Sequence, residues 1–427
     1  MSHSDIYKYI STHVDNRKIP NIKNSDWLAF IQQYDRDDIK KMLAKYITDN
    51  NVPFPLKLVP QSDADKLFLK FVNTSMLSEY KHFDTVLEKF DYKYKYSDSP
   101  LGVIDKSHVY NMVSNYYQQE NRMRCGSNSV DSPWDIWHNI DKLEKMNWHF
   151  WRSGALGKSD INESTFRSGF RIGTYTATQF KPNVAKALYE NHNAKIVLDT
   201  SCGWGDRLAG FYATNCTQVY VGCDPNPEVF ETYKTQCLEY ERLLGSNPTI
   251  IETDKYFKVV GKKTVEIYNL PSEDMDYTQY QNYFDFYFTS PPYFETEKYG
   301  SNNHDTQSWS RYTTFDSWKY DFFFKVNRCV YDCLKDDGYM MINIIEPSIG
   351  NGKRGNLCDD MVDNICAYNN AFYLGKIGMR MQARPHKIIS ADKNSIFVEP
   401  IWVFRKNNNN YDRLYRPLIN TFNNFFV

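Results

Sequence analysis

Residues 195–210 read KIVLDTSCGWGDRLAG, an apolar run that closes on Asp199 and passes straight into a glycine-bearing turn and an amphipathic stretch. A short apolar run ended by a polar residue suits a buried parallel strand. Gly203 and Gly205 carry no Cβ, so a ligand can approach the backbone between that strand and the helix that follows. With Gly210 they meet the dinucleotide spacing Gly-x-Gly-x-x-Gly only in part. Taken alone, the turn reads equally well as a plain strand-to-helix connection.

The same pattern recurs downstream. QVYVGCD (218–224), TVEIYNL (264–270), FDFYFTS (284–290), GYMMINII (338–345), FYLGKIGM (372–379) and PIWVFRK (400–406) are short apolar runs, and helix-like stretches separate the earlier ones. This alternation predicts an α/β fold built on a Rossmann-like, doubly wound sheet. The last two runs have no long helix between them and read as an antiparallel edge hairpin. Residues 1–165 read as a mostly helical domain with amphipathic stretches over 27–47 and 64–90, residues 166–406 hold the sheet, and 407–427 form an Asn-rich tail.

At 427 residues the chain exceeds the usual size of one core, which agrees with that division. Its 51 basic and 52 acidic side chains leave a net charge of −1, so no global field draws in a polyanion. No apolar run reaches the roughly 18 residues of a membrane helix, and the N-terminus lacks a signal-peptide core. An intracellular, cytoplasmic protein is expected. The nine cysteines contain no Cys-x-x-Cys pair, which fits a reducing compartment. Cys329 and Cys333 have no His or Cys partners nearby and read as buried thiols, so no metal site is expected. Trp134, Trp137, Trp148 and Trp151, within 132–151, read first as core packing and second as stacking platforms.

Three further stretches carry chemistry. VYVGCDPNP (219–227) ends its strand on Asp224, about 20 residues past the glycines, where a carboxylate can accept both hydroxyls of a ribose. LPSEDMD (270–276) offers Glu273 and Asp274 as acceptors for an adenine amino group. FDFYFTSPPYFETEKYG (284–300) is the least generic stretch. Two consecutive prolines at the carboxyl end of a strand fix φ and remove two donors, leaving carbonyls turned outward. Open α/β sheets bind ligands at that edge, and Tyr293 beside the rigid turn makes a platform for a flat base.

With Ser290-Pro291-Pro292-Tyr293 in this place, the chain resembles the amino-methyltransferases of nucleic acids, whose motif is (Asp/Asn/Ser)-Pro-Pro-(Tyr/Phe/Trp). The resemblance covers 170–406. It implies S-adenosylmethionine as cofactor and methyl transfer to an exocyclic amino group of a base. Ser at the first position favours cytosine N4 in DNA; adenine N6 and RNA are the alternatives. It further implies that TYTATQFKPNVAKALY (174–189) lines the cofactor pocket. Gln179, Phe180, Lys181 and Pro182 would then join Asp199, Ser201, Cys202, Gly203, Gly205, Asp224, Glu273 and Asp274 as cofactor contacts. The family's turn reads Asp-Pro-Phe-x-Gly-x-Gly, whereas this chain has Asp199-Thr200-Ser201-Cys202-Gly203-Trp204-Gly205.

On this reading the Ser290 side chain and the Pro291 carbonyl accept from the amine, Pro292 stiffens the turn, and the Tyr293 ring, rather than its hydroxyl, stacks on the base. Carbon-5 methylation needs a thiolate nucleophile, and the chain has no Pro-Cys dipeptide. Nine basic and three acidic residues give 376–416 a local charge of +6, and within it Arg380, Arg384 and Lys387 are the expected phosphate contacts. Residues 295–318 read as a mobile substrate loop. Two rival readings are a silent nucleic-acid-binding partner of a methylating complex, which would carry a damaged tetrad, and an NAD-dependent oxidoreductase, which leaves the tetrad unexplained.

Overall fold

A computed structural model describes residues 3–77, 80–81, 86–88, 102–104, 108–127, 130–146, 160–294, 297–299, 304–350, 353–381 and 396–407. The chain divides into two units. One comprises Met1–Pro60, Gln119–Thr178 and Glu297–Ser301; the other comprises Gln61–Gln118, Gln179–Thr296 and Asn302–Val427.

The first unit is helical. His3–Thr12, Arg36–Asp49, Pro133–Trp137, Ile140–Met146 and Glu163–Gly173 are among its helices. Their apolar faces meet in a core that includes Ile10, Trp27, Leu43, Ile47, Trp137 and Phe166. Trp137 is 1% exposed and its indole N–H donates to the Val52 carbonyl at 2.8 Å. That places it in the core and removes it as a stacking platform. Trp148 and Trp151 lie outside the described residues.

The second unit holds one sheet. Its strands are β1 (Tyr80–Lys81), β2 (Val86–Glu88), β3 (Gly102–Ile104), β4 (Ile196–Asp199), β5 (Val219–Cys223) and β6 (Thr249–Thr253). Then come β7 (Tyr256–Val260), β8 (Thr264–Tyr268), β9 (Phe284–Thr289), β10 (Leu334–Asn343), β11 (Ala371–Met381) and β12 (Ile396–Lys406). Their order is β1-β3-β11-β12-β10-β9-β4-β5-β8-β7-β6, with β2 against β12. The five central strands, β10-β9-β4-β5-β8, are parallel. Strands buried on both faces need near-continuous apolar sequence, and β9, FDFYFT, supplies it, with Phe284, Phe286, Tyr287 and Phe288 all buried.

This is the expected Rossmann-like, doubly wound architecture. The chain runs outward from β4 through β5 to β8, then returns to β9 on the other side of β4 and runs outward again through β10. The direction therefore switches between β4 and β9, and ligands in such sheets bind beyond the carboxyl ends at that point. β11 and β12 form the expected antiparallel pair, joined to the parallel strands through β12 and β10.

The β6–β7 hairpin was not legible. TIIET and YFKVV flank an Asp254-Lys255 turn, which lacks the Asn-Gly or Asp-Gly signature of a two-residue hairpin. Within 295–318, Trp318 is fully buried and stacks on Phe323 at 5.5 Å, so at least that end of the expected mobile loop is anchored.

Helix Asp206–Ala213 follows the glycine turn and packs on helix Pro182–Asn191. Gly210 lets them approach closely. A Cβ there would sit 2.7 Å from Ala185 Cβ, 2.8 Å from the Pro182 carbonyl oxygen and 2.9 Å from the Lys186 nitrogen. Gly210→Ala should gain about 1 kcal/mol of helix propensity. It should lose more by overpacking against backbone, which costs about 1–3 kcal/mol. Urea unfolding should therefore show a net loss of stability, and equal or greater stability would mean the helices are not in tight contact at Gly210.

Candidate active site

The site is built where β4 and β9 end side by side. Asp199 closes β4 and is fully buried. Its carboxylate accepts from Arg207 Nε at 2.7 Å and Nη2 at 3.2 Å, from Tyr220 Oη at 2.7 Å, from Thr289 Oγ1 at 3.0 Å and from the Ser201 N–H at 3.2 Å. Asp199 thus ties β4 to β5, to β9 and to the first helix of the sheet. Burial works against the Arg207 charge, and Asp199 beside it outweighs burial, holding the guanidinium charged. Arg207 also donates to the Ser201 carbonyl, and its guanidinium lies 5.4 Å from the Phe180 ring and 5.9 Å from the Phe288 ring.

The turn beyond Asp199 has two left-handed positions, Gly203 at φ 59° and Gly205 at φ 67°. Gly205 caps helix Asp206–Ala213, and a Cβ on it would run into the Gln236 side chain. Gly203 is different: a Cβ there would meet the Ser201 carbonyl oxygen at 3.7 Å and Arg207 Nη2 at 4.0 Å, ordinary contact distances, so nothing crowds the backbone on that side. The Gly203 N–H donates to Asp224 Oδ2 at 2.9 Å, which fastens the turn to the end of β5. Asp224 Oδ1 accepts from the Asn226 N–H at 3.0 Å, and the Tyr233 hydroxyl lies 3.3 Å from Oδ2. Burial raises the Asp224 carboxyl to about 6, against the pull of these donors.

Several expected contacts come together on this turn, and others do not. Ser201, Gly203, Gly205 and Asp224 line it, and Phe180 packs edge-on against Phe288 of β9 at 5.5 Å. Asp199 is instead consumed by its neighbours within the fold. Cys202 is buried, and burial pushes its thiol well above the ordinary range, so it stays protonated and inert. The Gln179 amide donates to the Asn111 carbonyl, Ser114 Oγ and Asp206 Oδ1 at 2.7, 2.9 and 2.7 Å. Lys181 is buried and its ammonium donates to the Arg380 carbonyl. Pro182 begins the following helix. These residues support the turn with polar atoms already engaged in the chain. Glu273 and Asp274 follow β8 and share Arg311, whose Nη1 is 2.9 Å from Glu273 Oε1 and 2.7 Å from Asp274 Oδ2.

Ser290-Pro291-Pro292-Tyr293 continues directly from β9. Ser290 Oγ lies 3.4 Å from Asn343 Oδ1 at the end of β10, and the Asn343 amide donates to the Pro400 carbonyl at 3.0 Å. The Tyr293 hydroxyl donates to Glu399 Oε1 at 2.6 Å. Arg207, Asn343 and Glu399 escaped the sequence reading. Asn343 carried the same signal as Asp199 and Asp224, a polar residue closing an apolar strand, and Glu399 is a lone acid inside the apolar run of β12.

The basic run resolves unevenly. Arg380 is exposed, Lys376 is buried with its ammonium 5.3 Å from the Trp402 ring, and Arg405 pairs with Asp337 at 3.1 Å. Lys376 therefore leaves the proposed phosphate face. Arg384 and Lys387 lie outside the described residues. Among the described residues no helix is long and apolar enough to cross a membrane.

Comparison with known proteins bears on this geometry. No curated protein sequence matches the chain. Solved structures share about half of it at low similarity. A Pyrococcus horikoshii protein in complex with S-adenosyl-L-methionine has 15% identity and a TM-score of 0.32, covering 54% of this chain and 57% of its own. An rRNA methylase from Streptococcus thermophilus has 13% identity and a TM-score of 0.31, covering 54% and 99%. At these scores the likenesses carry no inference about activity. The chain spans less than two thirds of the length of the first of them. From the start of β9 through the Ser-Pro-Pro-Tyr turn and onward, residues 284–424 match the family described as DNA methylase, the N6/N4 amino-methyltransferases that the tetrad resembles.

Proposed function

We propose that this protein transfers a methyl group from S-adenosylmethionine to the exocyclic amino group of a nucleic-acid base, with cytosine N4 in DNA the favoured target. The observation that carries the reading is the position of Ser290-Pro291-Pro292-Tyr293. It stands at the carboxyl end of β9, directly beside β4 and its glycine turn, where the sheet changes direction.

The residues present fit the cofactor. Gly203 adds no side chain to a left-handed bend that nothing crowds, and its N–H is bonded to Asp224, so the two stand side by side. Each Asp224 carboxylate oxygen accepts one backbone N–H, Oδ2 from Gly203 and Oδ1 from Asn226, and keeps lone-pair capacity for a ribose hydroxyl. Bound S-adenosylmethionine supplies the methyl group on a sulfonium. Everything else falls to the chain. A base amine is a poor nucleophile because its lone pair is delocalised into the ring. Acceptors at Ser290 Oγ and the Pro291 carbonyl would hold the two N–H bonds, which lets the nitrogen pyramidalise and localise that pair. Its new N–C bond forms as the methyl–sulfur bond breaks. One of the two held N–H protons is then lost to solvent, so the amine ends neutral. Orientation and matched acceptors supply the rate, with no covalent intermediate. The Tyr293 ring stacks on a base that must leave a duplex to reach the turn. Within the expected helical domain 1–165, β1, β2 and β3 contribute to the sheet, so we assign the helical first unit alone to substrate recognition, and Arg380, Arg384 and Lys387 to phosphate contact. The residue at the head of the tetrad is what favours cytosine over adenine; an RNA substrate would use the same turn.

Two measurements test this. Ser290→Ala removes an acceptor that strengthens as the nitrogen pyramidalises, so single-turnover methylation should fall about 10²–10³-fold with cofactor affinity unchanged. Full activity in that variant would refute the role of the turn. The second concerns pH. Asp224 makes charge-assisted bonds to hydroxyls only as a carboxylate, and its carboxyl stands near 6. Cofactor affinity should be full above that pH and decline as pH falls through it. Asp224→Asn should bind more weakly and lose this step; calorimetry that finds the step intact in the variant would move the ribose contact elsewhere.

A further inference from the structure

The functional reading employs the Tyr293 ring and leaves its hydroxyl idle. In the structure the hydroxyl has a partner, Glu399 Oε1, at 2.6 Å, the length of a charge-assisted O–H···O⁻ bond. Glu399 stands in β12, separated from β9 by β10, and is 5% exposed. A carboxylate so buried costs free energy unless its oxygens are hydrogen-bonded.

The next residue makes a second tie. The Pro400 carbonyl fixes the Asn343 amide, and Asn343 Oδ1 faces Ser290 Oγ. Consecutive residues of β12 thus reach both ends of the tetrad, the two positions whose side chains the reaction uses. An aromatic ring has a broad torsion about its last bond. A ring that must present its face to a flipped base, with the amine in line with the methyl donor, gains from being fixed beforehand, because the ordering is then not charged to binding or to the transition state.

We propose that Glu399 is a positioning residue that sets the plane of the Tyr293 ring through its hydroxyl, with Asn343 doing the same for Ser290. This rests on the reading of residues 290–293 as the catalytic turn and deepens it. It also reverses the expectation that the hydroxyl is dispensable: the buried carboxylate gives it work to do.

The test uses the 427-residue chain, unmethylated DNA and RNA, and labelled S-adenosylmethionine, at a temperature where unfolding curves show each variant folded. Tyr293→Phe and Glu399→Ala should each slow single-turnover transfer about tenfold or more, the value of a hydrogen bond to a charged group. Cofactor affinity should not move. The double variant should be no slower than the slower single one, because both remove one interaction. Glu399→Gln keeps an acceptor oxygen at the same reach and should recover most of the rate. Should Glu399→Ala not fold, Tyr293→Phe and Glu399→Gln decide by the same criteria. Wild-type rates in Tyr293→Phe and Glu399→Ala beside an inactive Ser290→Ala would overturn the positioning role and leave the catalytic turn standing. So would multiplicative losses in the double variant, or a Glu399→Gln as slow as Glu399→Ala. No transfer by the wild-type protein would overturn the functional reading and this inference together.

Discussion

One buried carboxylate holds the working end of this sheet together. Asp199 lies at the seam where the chain switches direction, and it receives donors from β5, from β9, from the turn and from the helix beyond. Removing one partner of a buried ion pair leaves an uncompensated charge and typically costs about 3–5 kcal/mol. The constraint reaches further than stability. Thr289, which donates to Asp199, is the residue before Ser290, so the glycine turn and the Ser-Pro-Pro-Tyr turn are registered against each other through a single side chain. Methyl transfer by orientation requires that kind of registration between the part that holds the donor and the part that holds the acceptor amine.

The chemistry near the seam is selective in what it permits. The buried thiols of Cys202 and Cys223 are pushed well above their ordinary range and stay protonated, so neither serves as a nucleophile. The two prolines of the tetrad offer carbonyls and no N–H. On the proposed reading the turn offers acceptors beside an aromatic ring, and acceptors are what an amine with two N–H bonds can use.

The sequence carried much of this and missed the rest for identifiable reasons. Strand runs such as KIVLDT and FDFYFTS were legible because parallel strands buried on both faces need unbroken apolar stretches, and the polar residues that close them mark the binding edge. The β6–β7 hairpin was hidden because its turn lacks glycine. Asp199 and Lys181 read as cofactor contacts, because a linear sequence cannot show that Arg207 and the Arg380 carbonyl already engage them. Glu399 was the hardest to foresee. It lies 106 residues from Tyr293, and only the strand order brings the two within a hydrogen bond.

The proposed acceptor of the methyl group is a ring-attached amine. This is tested most directly by incubating the protein with labelled S-adenosylmethionine and unmethylated DNA or RNA, digesting the nucleic acid to nucleosides, and identifying the labelled product by mass. Label is expected on an exocyclic nitrogen, as N4-methylcytosine or, for the alternative base, N6-methyladenine. Label on carbon 5 of cytosine, on a ribose hydroxyl, or on no nucleoside at all would contradict it.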